Sequence, residues 1–152
     1  MVDVVEILKD KEVQARFKAL PVNQQLGYAW RTKWLTNAHD HQILPPGDWA
    51  IWLLLGGRGA GKTRTSAEQI GWWAWTQPNT RWLVSAPTAM DVRGTCIEGE
   101  SGLLNVIPPQ FIQDYNKSLL EIKLINGSLI KGISASEPDR FRGGQYHGAW
   151  LD

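Results

Sequence analysis

A single cysteine, Cys96, is all the thiol chemistry this chain carries. It cannot close an intrachain disulfide and has no metal-ligand companion, so a reducing compartment and a small apolar role are expected for it. No apolar run reaches the ~18 residues that would suggest a membrane span. Met1 is followed by Val2-Asp3-Val4-Val5-Glu6 rather than by the basic start of a secretion signal. The expectation is a cytoplasmic protein with no membrane partner. An excess of one charge is missing too: a formal net charge of +1 gives no global field, so any DNA contact must come from local patches. There is no internal repeat and no low-complexity tract. What remains is an ordinary globular composition, 43% hydrophobic and 20% charged over 152 residues, with tryptophan as its excess. Most of the nine tryptophans lie in apolar contexts where packing rather than base stacking is expected.

Against that background one stretch carries chemistry. Gly56 to Thr63 reads G-G-R-G-A-G-K-T and fits the phosphate-cradling pattern G-x-x-x-x-G-K-[ST] at Gly56, Gly61, Lys62 and Thr63. The apolar run Trp49-Ala50-Ile51-Trp52-Leu53-Leu54-Leu55 before it suits a strand buried on both faces of a parallel sheet. The residues after it, Lys62 to about Trp75, contain no proline and read as a helix. A glycine loop between strand and helix turns backbone N–H groups and the positive end of the helix dipole toward one small volume, which suits a polyphosphate. Gly56, Gly57, Gly59 and Gly61 permit close ligand approach, Lys62 supplies a compact charge for the β- and γ-phosphates, and the Thr63 hydroxyl can enter a Mg²⁺ shell.

The rest of the chain reads as a frame for that loop. A helix is expected from about Asp3 to Leu20, ending before Pro21, and a second from Asn23, as N-cap, to about Leu35. Thr36 to Asp48, with Pro45-Pro46-Gly47, is a connecting loop. Arg81 to Ala86 reads as a second buried strand, with Arg81 a strand-edge charge, and Asp91 to Leu104 as a helix broken near Gly99 and Gly102. Two apolar runs, 118–124 and 128–133, flank Asn126-Gly127, a strong hairpin signal. A polar loop from Ser134 to Gln145 follows. In it Arg140 and Arg142 suit either an inter-subunit or DNA contact, or solvated pairing with Glu137 and Asp139. The final run, Tyr146 to Asp152, resembles a strand that sets an acidic residue beside a phosphate loop, where Asp152 can hold Mg²⁺ through water; the alternative is an ordinary strand ending in a solvated aspartate. The expected class is α/β: a P-loop NTPase-type parallel sheet flanked by helices, with an N-terminal helical preface and a β-hairpin. The expected division is 1–48, helices and adenine-side loop, and 49–152, ATPase core.

From about Trp30 onward the sequence resembles the amino-terminal ATPase part of a tailed-phage terminase large subunit. The resemblance rests on ordered blocks: His41 to Trp49, Trp52 to Thr63, Ser85-Ala86-Pro87-Thr88, Ser136 to Gly143 and Gly148 to Asp152. It implies ATP and Mg²⁺ as cofactors and hydrolysis that drives double-stranded DNA into procapsids. It also implies a homo-oligomeric ring and the terminase small subunit and portal protein as partners. The nucleotide-binding residues it implies are Gln42, reading the adenine edge, and Gly56, Gly57, Arg58, Gly59, Ala60, Gly61, Lys62, Thr63 and Arg64. Catalytic roles fall to Lys62, Arg58 and Asp152, with Arg58 on the γ-phosphate of its own or a neighbour's site, and metal roles to Thr63 and Asp152. In such motors a water-orienting glutamate follows the acidic strand and a nuclease domain comes later. The expectation is therefore an incomplete ATPase lobe with negligible hydrolysis of its own. A truncated nucleotide-binding module and a helicase-like phosphate-loop ATPase are the alternatives, the latter sharing Ser85-Ala86-Pro87-Thr88.

Overall fold

The computed structural model describes residues 10–152, and the chain divides into two units, 1–37 and 38–152. In the first, α1 (Lys11–Ala19) starts where the Asp10 carboxylate accepts the Glu12 N–H at 2.7 Å and stops at Leu20, ahead of Pro21. The part of the expected first helix before residue 10 lies outside the described residues. Helix α2 (Val22–Asn37) is launched by the Pro21 carbonyl, which accepts from the N–H groups of Gln24 and Gln25. Asn23 is thus inside the first turn rather than its cap. Gly27, Trp30 and Trp34 of α2 are buried at i, i+3 and i+7 spacing.

The second unit is α/β, a five-stranded mixed sheet flanked by helices. Its helix α3 (Lys62–Thr76) precedes β1 (Arg81–Ala86), β2 (Ile112–Asn116), β3 (Glu121–Leu124), β4 (Leu129–Ser134) and β5 (Gly148–Leu151), in sheet order β2-β3-β4-β1-β5. Only β4, β1 and β5 run parallel; β2, β3 and β4 are antiparallel neighbours, which corrects the expectation of a parallel sheet. The antiparallel pairing of β3 with β4 follows from the Asn126-Gly127 turn: Gly127 sits at φ +85°, which glycine adopts without strain, and donates its N–H to Leu124 O. The same turn ties down the helix, because Asn126 Nδ2 donates to the carbonyls of Ala74 and Trp75 at 2.8 Å. Strand β1, flanked on both edges, is buried at five of its six residues, as its continuous apolar run requires. Val84 of β1 is buried in a core with Ile97, Leu103, Phe111, Ile122, Ile130 and Ile133, each contributing about 1.5–3 kcal/mol by leaving water.

The run expected as the first buried strand does not enter the sheet. Ile51, Leu53 and Leu55 are 84%, 71% and 84% exposed, and residues 51–57 have no regular secondary structure. Both edges of β1 are already taken by β4 and β5, so no slot beside it is open. The run is held instead at its start, where Trp49 tilts against Trp52 and Trp73, and Trp73 stacks on Trp82 with ring centres 5.5 Å apart. Trp82 in turn lies so close to Gly148 that a Cβ there would meet its ring at 2.6 Å.

Candidate functional site

Gly61 ends the glycine loop and caps α3 in the left-handed conformation, φ +76°. Its carbonyl accepts both the N–H and the hydroxyl of Thr65 at 2.9 Å, which fixes the angle at which the helix leaves the loop. The first-turn N–H groups of a helix lack intrahelical partners, and α3 carries no acidic residue in that turn to use them. Lys62 folds back over the loop and donates to Gly56 O at 2.7 Å and Gly57 O at 2.9 Å. The loop thus holds its own cation against its own backbone.

Two of the loop's glycines are spatially required. A Cβ on Gly56 would meet the Ala60 methyl at 2.9 Å, and one on Gly61 would run into the Gln42 amide. Gln42 is buried in a 3₁₀ turn (Asp40–Gln42), with its Oε1 accepting the His39 N–H at 2.9 Å and its Nε2 over Gly61. Next to it a cavity of about 510 Å³ is lined by His41, Ile43, Leu44, Pro45 and Trp52. Gly57 and Gly59 face open space, so their side of the loop is free for a ligand.

Beside the loop lies a cleft of about 570 Å³ that brings together most of the residues the sequence singled out. Arg58, Lys62, Thr63 and Arg64 line one wall, and Asp152 lines it from the end of β5. Asp152 is set there by its backbone, whose N–H donates to Ser85 O at 2.8 Å. Arg58 has no ion-pair partner among the described residues, whereas the Arg64 guanidinium is committed to Glu68, with Nε and Nη2 at 2.9 and 2.7 Å from one carboxylate oxygen. Glu68 is 1% exposed, so this pair is anchored inside the helix face rather than in solvent. No group of three or more His, Cys, Asp or Glu side chains among the described residues could hold a metal alone. Thr63 and Asp152 together suit instead a cation that keeps several waters and shares a ligand's phosphates.

The rest of the lining carries no sequence motif. It comes from the segment after β1, where a helical turn (Ala89–Asp91), begun by Thr88 accepting the Asp91 N–H, widens into a π-helical turn (Val92–Ile97). Thr95, Glu100 and Ser101 line the cleft from there. Gly99 packs against this turn so closely that a Cβ would meet the carbonyl oxygens of Gly94 and Thr95 at 2.7 Å, and Gly102 likewise against Ile97 O at 2.6 Å. These two glycines read in the sequence only as helix breakers; in space they are the contacts that hold the wall. Behind it, Arg93 donates to Lys117 O at 3.0 Å and Tyr115 to Glu98 at 3.0 Å, tying the turn to the β2–β3 hairpin. Burial, then the Glu98 carboxylate, pushes the Tyr115 phenol up to about 12.

Cys96 is fully buried in the π turn, and burial first, then the charges of Asp152 and Asp91, push its thiol up to about 12. In the 135–147 loop Arg140 and Arg142 pair with Glu137 and Asp139 at 3.0 and 3.2 Å, all four exposed, which is the solvated arrangement. Arg81, as expected, is an exposed charge at the start of β1.

Residues 53–152 match the family model described as terminase large subunit, T4likevirus-type, N-terminal. No curated protein and no solved structure matches the chain.

Proposed function

The chain belongs to the terminase large-subunit family, with its role in phage DNA packaging, and from that premise we propose that its glycine-loop cleft binds ATP as the magnesium complex. The observation that carries the reading is the convergence, in one cleft at the start of α3, of Lys62, Thr63, Arg58 and Asp152 around a loop whose Gly57–Gly59 side is open. The donor set fits the ligand. The Lys62 ammonium, now on the carbonyls of Gly56 and Gly57, is within a side-chain rotation of the phosphates it would neutralise. First-turn N–H groups of α3 add the helix-terminus field. Thr63 and, through water, Asp152 would hold the magnesium, which would supply positive charge against the phosphates. Arg58, with no ion-pair partner among the described residues, would meet charge that develops in phosphoryl transfer, whereas the Arg64 charge is already matched by Glu68 one turn along α3. Gln42, between its turn and Gly61, sets the adenine side.

In the packaging motor this cleft hydrolyses ATP to drive double-stranded DNA into the procapsid. The motor is a homo-oligomeric ring, with the small subunit and portal as partners, in the host cytoplasm. No helix among the described residues is long and apolar enough to cross a membrane. Calorimetric titration of the chain with ATP and magnesium tests the reading: Lys62→Ala removes charge-assisted bonds and weakens binding by about ten- to a hundredfold. Equal affinity in the folded variant, or no binding by the unaltered chain, overturns it.

A further inference from the structure

The wall opposite the glycine loop carries a carboxylate that the family match does not explain. Glu100 lines the same cleft as Lys62, Thr63 and Asp152, is exposed, and has no ion-pair partner among the described residues. The backbone that carries it is not a loose surface loop. Gly99, immediately before it, fits against the carbonyls of Gly94 and Thr95 with no room for a Cβ, and Gly102, two residues on, fits against Ile97 O in the same way. The Asn105 amide adds hydrogen bonds to the carbonyls of Glu98 and Gly99 at 3.3 and 2.9 Å. The backbone under Glu100 is therefore held from both sides.

Charge then decides what Glu100 can do. With Arg64 neutralised by Glu68, the cleft is lined by two cations, Arg58 and Lys62, and two carboxylates, Glu100 and Asp152, that form no ion pair among the described residues. A triphosphate entering alone meets both carboxylates and is repelled by them. Entering with a divalent cation, it brings a charge that both can share, and magnesium is held in just this manner, by one or two carboxylates, phosphate oxygens and retained waters. Resting on the nucleotide-binding reading above, we infer that Glu100 is the second carboxylate of the metal site, in the cleft it lines with Asp152 and Thr63, and that it makes triphosphate binding depend on magnesium. The residue positions the hydrated cation from the far wall; it is not the group that takes a proton from water.

The test is calorimetric titration with ATP in excess magnesium and again in chelator, for the unaltered chain, Glu100→Gln and Lys62→Ala. Glu100→Gln keeps size and hydrogen bonding and removes only charge, at an exposed position where folding is not at risk. It weakens binding about tenfold in magnesium, where a ligand is lost, and strengthens it about threefold in chelator, where a repulsion is lost. Lys62→Ala weakens binding in both conditions. A Glu100→Gln chain whose affinities are unchanged, or shifted alike in both conditions, overturns the role of Glu100 while leaving the nucleotide site standing. Failure of the unaltered chain to bind ATP in either condition overturns the nucleotide reading itself, and Glu100 with it.

Discussion

Gly61→Ala offers the sharpest check on the packing of the loop, because two independent costs meet at one atom. The residue sits at φ +76°, where an L side chain costs about 1–2 kcal/mol. The new methyl also runs into the Gln42 amide. Gln42 is buried and cannot simply swing into water, so the clash displaces its Oε1 from the His39 N–H, a bond of 2.9 Å contributing roughly 0.5–1.5 kcal/mol, or forces an off-rotamer side chain at a similar cost. The sum is about 1.5–3.5 kcal/mol, a large part of the 5–15 kcal/mol that holds a typical domain folded. Urea unfolding followed by tryptophan fluorescence reads it directly. The decisive comparison repeats the substitution in a Gln42→Ala chain, where the methyl has room: there only the backbone share, about 1–2 kcal/mol, is left. Additivity of the two substitutions to within ~0.3 kcal/mol would refute the contact between the turn and the loop.

Arg64→Ala leaves the buried Glu68 carboxylate short of two hydrogen bonds and destabilises the fold by roughly 1.5–3 kcal/mol in the same unfolding assay, while Arg64→Lys recovers only part of it because one ammonium cannot reproduce the guanidinium fork; equal stability of all three chains sinks this account. Cys96 resists iodoacetamide in the folded chain at pH 8 and reacts once urea unfolds it; prompt native labelling contradicts its burial. Because its folded pKa is raised, the stability it confers is complete below the ordinary thiol range. That stability is lost as pH climbs from about 9 toward about 12, where the unfolded chain alone ionises, and Cys96→Ala removes that part of the pH slope of the urea midpoint.

Local patterns determined much of this protein. The glycine loop, the helix starting at Lys62, the strand Arg81–Ala86, the Asn126-Gly127 hairpin and the closing strand before Asp152 were each legible because their signals are short-range: turn chemistry, apolar runs, a helix without proline. Lys62, Thr63 and Asp152 were singled out as candidates for the same reason, and Arg58 only through the family resemblance. What sequence alone left undecided depends on which surfaces meet. The run Ile51–Leu55 is apolar enough for a buried strand, yet burial needs a neighbour, and β4 and β5 occupy both edges of β1. Ile112–Asn116 is too polar to announce a strand and becomes one because β3 offers it an edge. Arg64 reads as one more cation for a phosphate until the helix period sets Glu68 one turn away and buried, where pairing claims it. Glu100 carries no motif at all. It reaches the cleft because a π turn and two glycines with no space for a side chain fold the segment after β1 across from the loop, a closeness between residues some forty positions apart that only the tertiary structure could decide.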